Sequence, residues 1–505
     1  MNNNWKSINL NVLQYKIFKL QCKIFAISKS KRNLHRLRYL QEYMLNNFAI
    51  RFFILYLSNN RLNFIRSNTT IYKLSSLGYW KLSKKLDLSL KYFMPLKVKK
   101  KRVEMMFLVS LQEKAKQALI LLVVEPMWES KYSDNRPLKS SHSFINIIQK
   151  TYLYHQWFIY GNIKKCLGGV NLQYLLYKID TFLLIKNLIH YWVSNDQQYF
   201  GLFLTLDISW IKLSPYYNII SIYPLMFNIM LHGLDLYIEC FVRIQSNHLL
   251  YRQEIFIQLY RYDDLLIIFT NISNPIKHLN WEIDKWLRFR GFTLLPFSLK
   301  SNMKLVQQYK SITEQINLLG FSIHRKLREN IKSDVSNSYI LPTKYSLKKH
   351  FYFIHKIIQS NATAKQVRLI KRLNPIISSF HLYYAPFIDN KIFIKYDYKL
   401  FQLVWKWAYK RHNYKNIKWI TNKYFYENNQ KGNVFSVINK GIPEVSLYKY
   451  YYLYQQRTYI PCFLDSPYNG QWIYFMSILK KRPLEYKQYL ILCHYFYTSL
   501  FFFEQ

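Results

Sequence analysis

The stretch QLYRYDDLLIIF (residues 258–269) sets two adjacent carboxylates, Asp263 and Asp264, between two runs of apolar and aromatic side chains. Such runs, broken by a polar pair, predict a β-hairpin with the aspartates at or beside its turn. A hairpin tip can present two carboxylates to one divalent cation, but Asp is common in surface turns for reasons unrelated to metal. A two-metal phosphoryl-transfer site needs more. Ions about 4 Å apart require carboxylates from at least two chain segments. The meaning of the pair therefore depends on whether a second acidic strand end lies upstream.

Composition narrows the partner. The 505 residues include 72 Lys and Arg against 27 Asp and Glu, a formal charge of +45. Hydrophobic residues make up 50% and aromatics 18%, so most of the chain can bury a core. So large a positive excess implies a polyanion, most simply nucleic acid. An anionic membrane surface is the rival, and the spread of basic residues along the whole chain, not beside one apolar anchor, argues against it. No uninterrupted apolar run approaches the roughly 20 residues of a bilayer span. The longest, LILCHYFYTSLFFF (residues 490–503), is broken by His494, Thr498 and Ser499. Cys22, Cys166, Cys240, Cys462 and Cys493 show no CxxC pairing. That spacing points away from a disulfide framework or closed zinc site and toward a reducing compartment. Heavy use of Lys, Asn, Ile, Tyr, Phe and Leu follows A/T-rich codons, which suggests an organelle genome.

Periodicity divides the chain into four. Residues 1–60 place apolar side chains at three- and four-residue spacing with Lys and Arg between them, as helices do. Residues 61–325 begin with a polar, basic connector to about 104 and then alternate helical and strand-like pieces, an α/β or α+β pattern. EKAKQALILLVVEPMWES reads as a helix, HQWFIYGNI and QEIFIQLYRY as strands. Residues 326–430 are mainly helical again. In KYSLKKHFYFIHKIIQS, Leu347, Phe351, Ile354 and Ile358 share one face. A second helix, TAKQVRLIKRLN, is expected to end near Pro375, and a third is YKLFQLVWKWAYKRH. Residues 431–505 form a C-terminal segment.

At these residues the chain resembles a known family. QLYRYDDLLII is similar to the YxDD-type core of group II intron reverse transcriptases, the maturases. Residues 109–144 are similar to the family stretch that runs from a helix through "EP.WE" to "GFRPGRS.H". Glu129, Arg136, Pro137, Ser140 and His142 match it, while Asp134 and Asn135 replace the Gly-Phe and Leu138 the later glycine. SIYPLMFNIMLHGLD resembles the segment beside the nucleotide pocket, with Pro224, Leu225, Asn228 and Ile229 matching and Tyr223 replacing a serine. LLGFSI resembles the primer-grip strand. WFIYGNIKKCLGGVN is similar to the first catalytic strand, but Asn162 stands where the family carries its metal-binding aspartate. Gly168 stands at the second acidic position. A neutral amide cannot supply the anionic oxygen a magnesium site needs. The resemblance implies a right-hand polymerase-like fingers and palm that kept its fold and lost its reaction. Asp263 and Asp264 are then residual magnesium ligands, and no cofactor is required.

Downstream the resemblance strengthens. Pro342, Thr343, Lys344, Leu373, Asn374, Pro375, Tyr384, Trp407, Arg411, His412, Trp419, Lys423 and Tyr424 match maturase domain X, the thumb-like helical bundle that grips intron RNA. Ser379 and Phe380 depart from the family's "GW". The resemblance implies RNA contacts from Lys344, Lys348, Lys349, Lys365, Arg368, Lys371, Arg372, Lys406, Lys410, Arg411, His412 and Lys415. Structured RNA is read by shape, phosphate and 2′-hydroxyl contacts, which such residues can make. Trp405, Trp407 and Trp419 are expected in the core, with base-stacking platforms as the alternative.

The N-terminal helices resemble the family's RNA-binding extension from Trp5 onward, which leaves no room for a transit peptide and implies synthesis inside the organelle. SPYNGQWIYFMSILKKRPL (residues 466–484) resembles the connector before the family's DNA-cutting module, whose zinc-binding pairs are absent here, so DNA cleavage is not expected. The function implied is a maturase that binds a structured group II-type intron RNA and stabilises its active fold. An active reverse transcriptase for intron mobility is the enzyme alternative, and a general basic RNA-binding protein the third. A plastid location is expected, with the mitochondrion as alternative.

Overall fold

The computed structural model describes residues 10–31, 33–62, 76–86, 88, 102–132, 141–154, 157–164, 170–194, 222–247, 257–270, 276–295, 315–326, 337–428, 432–439, 442–451, 453, 466 and 468. Helices predominate, with small antiparallel sheets, an α+β chain. It divides into two compact units, one drawn from Met1–Lys139, His155–Gln308 and Cys462–Lys480, the other from Ser140–Tyr154, Tyr309–Pro461 and Lys481–Gln505.

The first unit opens with helices α1 (Leu10–Ser30), α2 (Leu34–Asn46), α3 (Phe48–Leu62), α4 (Ser76–Lys85) and α5 (Arg102–Glu129). Helix α4 lies inside the stretch read as a connector, and most of the remainder of that stretch lies outside the described residues. Pro126 sits inside α5. Lacking an N–H, it leaves the carbonyl four residues earlier without its helical donor. That carbonyl, on Leu122, accepts from the buried Gln21 side chain of α1 at 3.2 Å. A helix-breaking residue is thus accommodated by a tertiary hydrogen bond. Two residues of the C-terminal SPYNG motif are described, Ser466 and Tyr468. Both are buried, and the Tyr468 hydroxyl donates to Glu125 of α5 at 3.0 Å.

Chain order continues with α6 (Ser141–Tyr154), which belongs to the second unit, and then β1 (Trp157–Lys164), α7 (Leu172–Ile179), α8 (Leu183–Ser194), α9 (Tyr223–Met230), α10 (Leu234–Asn247), β2 (Ile257–Tyr262), β3 (Leu265–Thr270), α11 (Ile276–Phe289) and β4 (Thr293–Leu295). The strands form one antiparallel sheet in the order β2-β3-β1-β4. The unbroken apolar run LLIIFT is buried along all of β3, an interior strand, whereas β2 buries only Leu259 and Arg261, alternate residues on one face. The window Pro224–Ile244, mean hydropathy 1.4, has the length and composition of a membrane span. It comprises most of α9 and α10 with the turn between them, where Gly233 has φ 93°.

The second unit combines α6 with a sheet β5-β6-β7 (Gln315–Leu318, Phe321–Lys326, Asn337–Pro342), four helices and a second sheet. The helices are α12 (Lys344–Ser360), α13 (Gln366–Tyr384), α14 (Asn390–Arg411) and α15 (Ile417–Tyr424). The second sheet runs β10-β9-β8 (Ile442–Ser446, Gly432–Asn439, Phe425–Asn428). Residues beyond 430 therefore pack with the helices: Asn374 of α13 donates to the Ser446 carbonyl at 3.0 Å, and Tyr450 is fully buried.

One expectation is corrected here. Helix α13 does not end near Pro375 but runs on to Tyr384. An interior proline costs a helix about 3 kcal/mol. The turns beyond it bury Ile376, Ile377, Phe380, Tyr383 and Tyr384 at 0% exposure, which outweighs that cost. Tyr383 and Tyr384 also donate to the carbonyls of Leu319 and Gly320, holding the β5–β6 turn against the helix. That turn is the LLGFSI motif, and it packs in the second unit. His142 likewise falls in the second unit, its Nε2 donating to the Tyr383 carbonyl at 2.7 Å.

Candidate nucleic-acid interface

The hairpin forms as its sequence predicts. β2 and β3 pair from Ile257↔Thr270 to Tyr262↔Leu265, leaving Asp263 and Asp264 as the two-residue turn. Asp263 takes φ 53°, in the left-handed region. Asp tolerates that region better than most residues. Strand β1 lies beside the turn. Asn162 is opposite Leu265, and the Ile163 N–H donates to the Asp264 carbonyl at 2.7 Å.

The sheet therefore brings Asn162 beside the carboxylate pair. Its Oδ1 is buried without a hydrogen-bond partner among the described residues. The donor set does not fit a pair of divalent ions. Two carboxylates come from one turn, and the opposing strand offers a neutral amide. Among the described residues no three Asp, Glu, His or Cys side chains gather closely enough to share a metal. Gly168, Arg136 and Pro137 lie outside the described residues.

The basic helices present a different surface. Over residues 347–425 the sequence has 16 Lys and Arg and two acids, Asp389 and Asp397. Both acids are engaged in the fold. Asp389 caps α14, accepting from the Lys391 N–H. Asp397 accepts from the backbone N–H groups of Tyr450 at 2.7 Å and Tyr451 at 3.0 Å. Burial pushes its carboxyl up to about 6, opposed by those hydrogen bonds and by Lys449. Neither acid of this segment is therefore free to answer the surrounding cations.

Nine of the twelve candidate RNA-binding side chains are exposed: Lys344, Lys348, Lys365, Arg368, Lys371, Lys406, Lys410, Arg411 and Lys415. Lys349, Arg372 and His412 are half-buried. At the N-cap of α13 and along its first turns, Lys365, Arg368 and Lys371 recur every third residue and are exposed, while Leu369, Ile370 and Leu373 are buried.

Three candidates also hold the fold. The turn between α12 and α13 is clamped by Arg411, whose guanidinium donates to the carbonyls of Ala364 and Thr363. Arg372 donates to the Asn361 side chain at 3.1 Å, and the Trp407 indole N–H to the Asn361 carbonyl at 2.9 Å. His412 caps α14 and bonds the Tyr424 hydroxyl at 2.7 Å. Burial, with Lys423, Arg411 and Lys415 nearby, lowers its pKa and favours the neutral ring. Only tertiary contacts reveal these roles, so residue type alone could not separate clamp from contact.

The tryptophans divide. Trp407 is in the core as expected, and Trp405 is half-buried. Trp419 is 38% exposed, contrary to the expectation of burial. The short helix α15 buries only Ile420 and Tyr424, four residues apart, and Trp419 falls off that face. A further signal, missed in the sequence, is the run of exposed tyrosines among the cations: Tyr345, Tyr352, Tyr398, Tyr409 and Tyr414.

Comparison with known proteins falls on the same segment. Residues 347–425 match the family model of the group II intron, maturase-specific domain. No curated protein matches the chain.

Proposed function

We propose that this protein is an intron maturase, which binds a structured group II-type intron RNA and promotes splicing by stabilising the active RNA fold. The observation that carries the reading is that the segment matching the maturase-specific domain carries 16 Lys and Arg and two acids, both of them engaged in the fold. RNA performs the transesterification, and the protein contributes binding free energy. A protein that binds the active RNA conformer more tightly than its competitors raises that conformer's population by the ratio of the two affinities. Phosphate contacts from α13 and α14 supply most of that free energy, which makes it steeply salt-dependent.

Residues 61–325 are, on this reading, reverse-transcriptase fingers and palm that no longer polymerise. The support is the register that sets Asn162 beside Asp263 and Asp264. Residue usage supports an organelle genome, and a plastid is the proposed compartment. Splicing of an intron-containing transcript, with and without the purified full chain, tests the function. Addition of the protein is expected to lower the magnesium concentration at which the RNA splices. Equal splicing in both arms counts against it. Primer extension on an RNA template tests the palm, with no product expected; robust magnesium-dependent synthesis would overturn that part.

A further inference from the structure

The corner between α14 and α15 carries exposed aromatic rings among exposed cations. Every residue from Tyr409 to Trp419 is exposed except His412, which is half-buried. The stretch reads YKRHNYKNIKW, four cations and His412 with no acid. Tyr414 is 95% exposed and makes no ring contact among the described residues. Single exposed aromatics are ordinary on protein surfaces, so exposure alone carries little. The second observation concerns Trp419. Its ring is 38% exposed and is oriented by neighbours: His412 meets it at 5.0 Å, and Lys423 Nζ and Lys415 Nζ lie over it at 4.4 and 5.7 Å from the centroid, on flexible stems that a stacking base can swing aside toward its phosphates. His412 is itself fixed by Tyr424. The indole is thus pre-oriented at the surface, which lowers the entropy cost of stacking against it.

A surface that only gripped phosphates would need the cations and not the rings. A surface that only packed against protein would have little use for Lys410, Lys415, Lys418 and Lys423 around the aromatics. Rings interleaved with cations are what a strand of unpaired nucleotides requires, since every base has a π-face and every linkage a phosphate. We propose that Tyr414 and Trp419 form a subsite for unstacked bases of single-stranded or bulged RNA, with Lys415, Lys418 and Lys423 on the flanking phosphates. The subsite rests on the RNA-binding reading above and adds that the ligand there is an unpaired nucleotide, not a helix backbone.

A hairpin RNA carrying one bulged 2-aminopurine, and the same hairpin with that base paired, test this with the full chain. The bulged RNA is expected to bind more tightly and to lose fluorescence on binding. Tyr414→Leu and Trp419→Leu should each weaken it by about ten-fold, within the range of one lost base stack. The slope of affinity against salt should not change. Lys415→Ala should instead lower that slope by about one counterion. Tyr414→Phe should bind as the parent does. Because Tyr414 is almost wholly exposed, its variants report on binding and not on folding. Equal affinity for both RNAs, without quenching, overturns the subsite and leaves the RNA-binding reading intact. Failure to bind either RNA overturns both.

Discussion

The β2–β3 hairpin and the α12–α15 helices are both marked by charge, and the two surfaces handle it in opposite ways. At the hairpin, Asp263 and Asp264 lie beside a strand that contributes the neutral Asn162, and among the described residues no third carboxylate, histidine or cysteine joins them. At the helices, the two acids of residues 347–425 are spent on a helix cap and on the Tyr450–Tyr451 backbone, and neither answers the 16 cations of that segment. A site is defined by its counter-charges as much as by its own. The first region has the frame of a chemical centre without its full complement. The second has a large unpaired potential, which is what a polyanion ligand uses.

The largest effect that separates the regions is on RNA binding. Replacing Lys365, Arg368, Lys371 and Lys406 together by Glu is expected to weaken intron RNA binding at least about a thousand-fold, since each lost phosphate contact also becomes a repulsion. None of the four clamps the α12–α13 turn, so folding should survive, as circular dichroism can check. Asp264→Asn should leave binding within about two-fold. Equal losses from both changes would erase the distinction.

Acid should also distinguish the regions. His142, His350 and His381 are buried in the second unit, and burial pushes their pKa values down from 6.5 to about 4, 3 and 4. The unfolded chain binds these protons and the fold does not. Stability is therefore full above about pH 6.5 and is lost as pH falls toward the folded values, on the order of 3 kcal/mol per ring. Asp397 opposes this. Its carboxyl, raised from 3.8 to about 6, contributes stability below about pH 4 that is lost as pH rises through 6. Three rings against one carboxyl leave a net loss in acid. Hydrogen exchange of peptides from 344–446 should accelerate between pH 6.5 and 4 beyond the intrinsic rate change, and His381→Leu should blunt the effect.

A smaller effect probes the clamp. Trp407→Ala removes a buried ring and the hydrogen bond to Asn361, and should cost about 3–5 kcal/mol of unfolding free energy in the second unit. Exposed Lys410→Ala on the same helix should cost less than about 0.5 kcal/mol. The smallest effect is at the turn. Asp263→Gly relieves the positive φ and should be neutral or stabilising by up to about 1 kcal/mol, whereas Asp263→Ala keeps the strain and should cost about that much. Splicing should be unchanged in both, and loss of splicing in the folded Gly variant would restore a role for the carboxylate.

Much of the fold was legible where local pattern and final environment agree. The hairpin, the strand at Asn162 and the helix from Lys344 follow from alternation and helical spacing, and the structure adds a Thr343 cap whose hydroxyl accepts from the Ser346 N–H at 3.1 Å. The charge of the helical segment was legible for the same reason. What failed depended on distant partners. Pro375 reads as a stop, and only the buried turns beyond it keep α13 going. Arg411 still reads as an RNA contact, and its second role as a clamp on the Thr363 and Ala364 backbone could not be read from residue type. Trp419 reads as core, since tryptophans usually are, but the short helix that carries it has room for two buried residues.

The central claim is that the α12–α15 surface, and not the hairpin, engages an intron RNA. Crosslinking the full chain to RNA in organelle extract, then sequencing the RNA and identifying the crosslinked peptides, tests it most directly. The account predicts reads concentrated on group II-type introns and crosslinks on peptides from 344–425, Tyr414 and Trp419 among them. Reads spread over unrelated transcripts, or crosslinks confined to the hairpin strands, would contradict it.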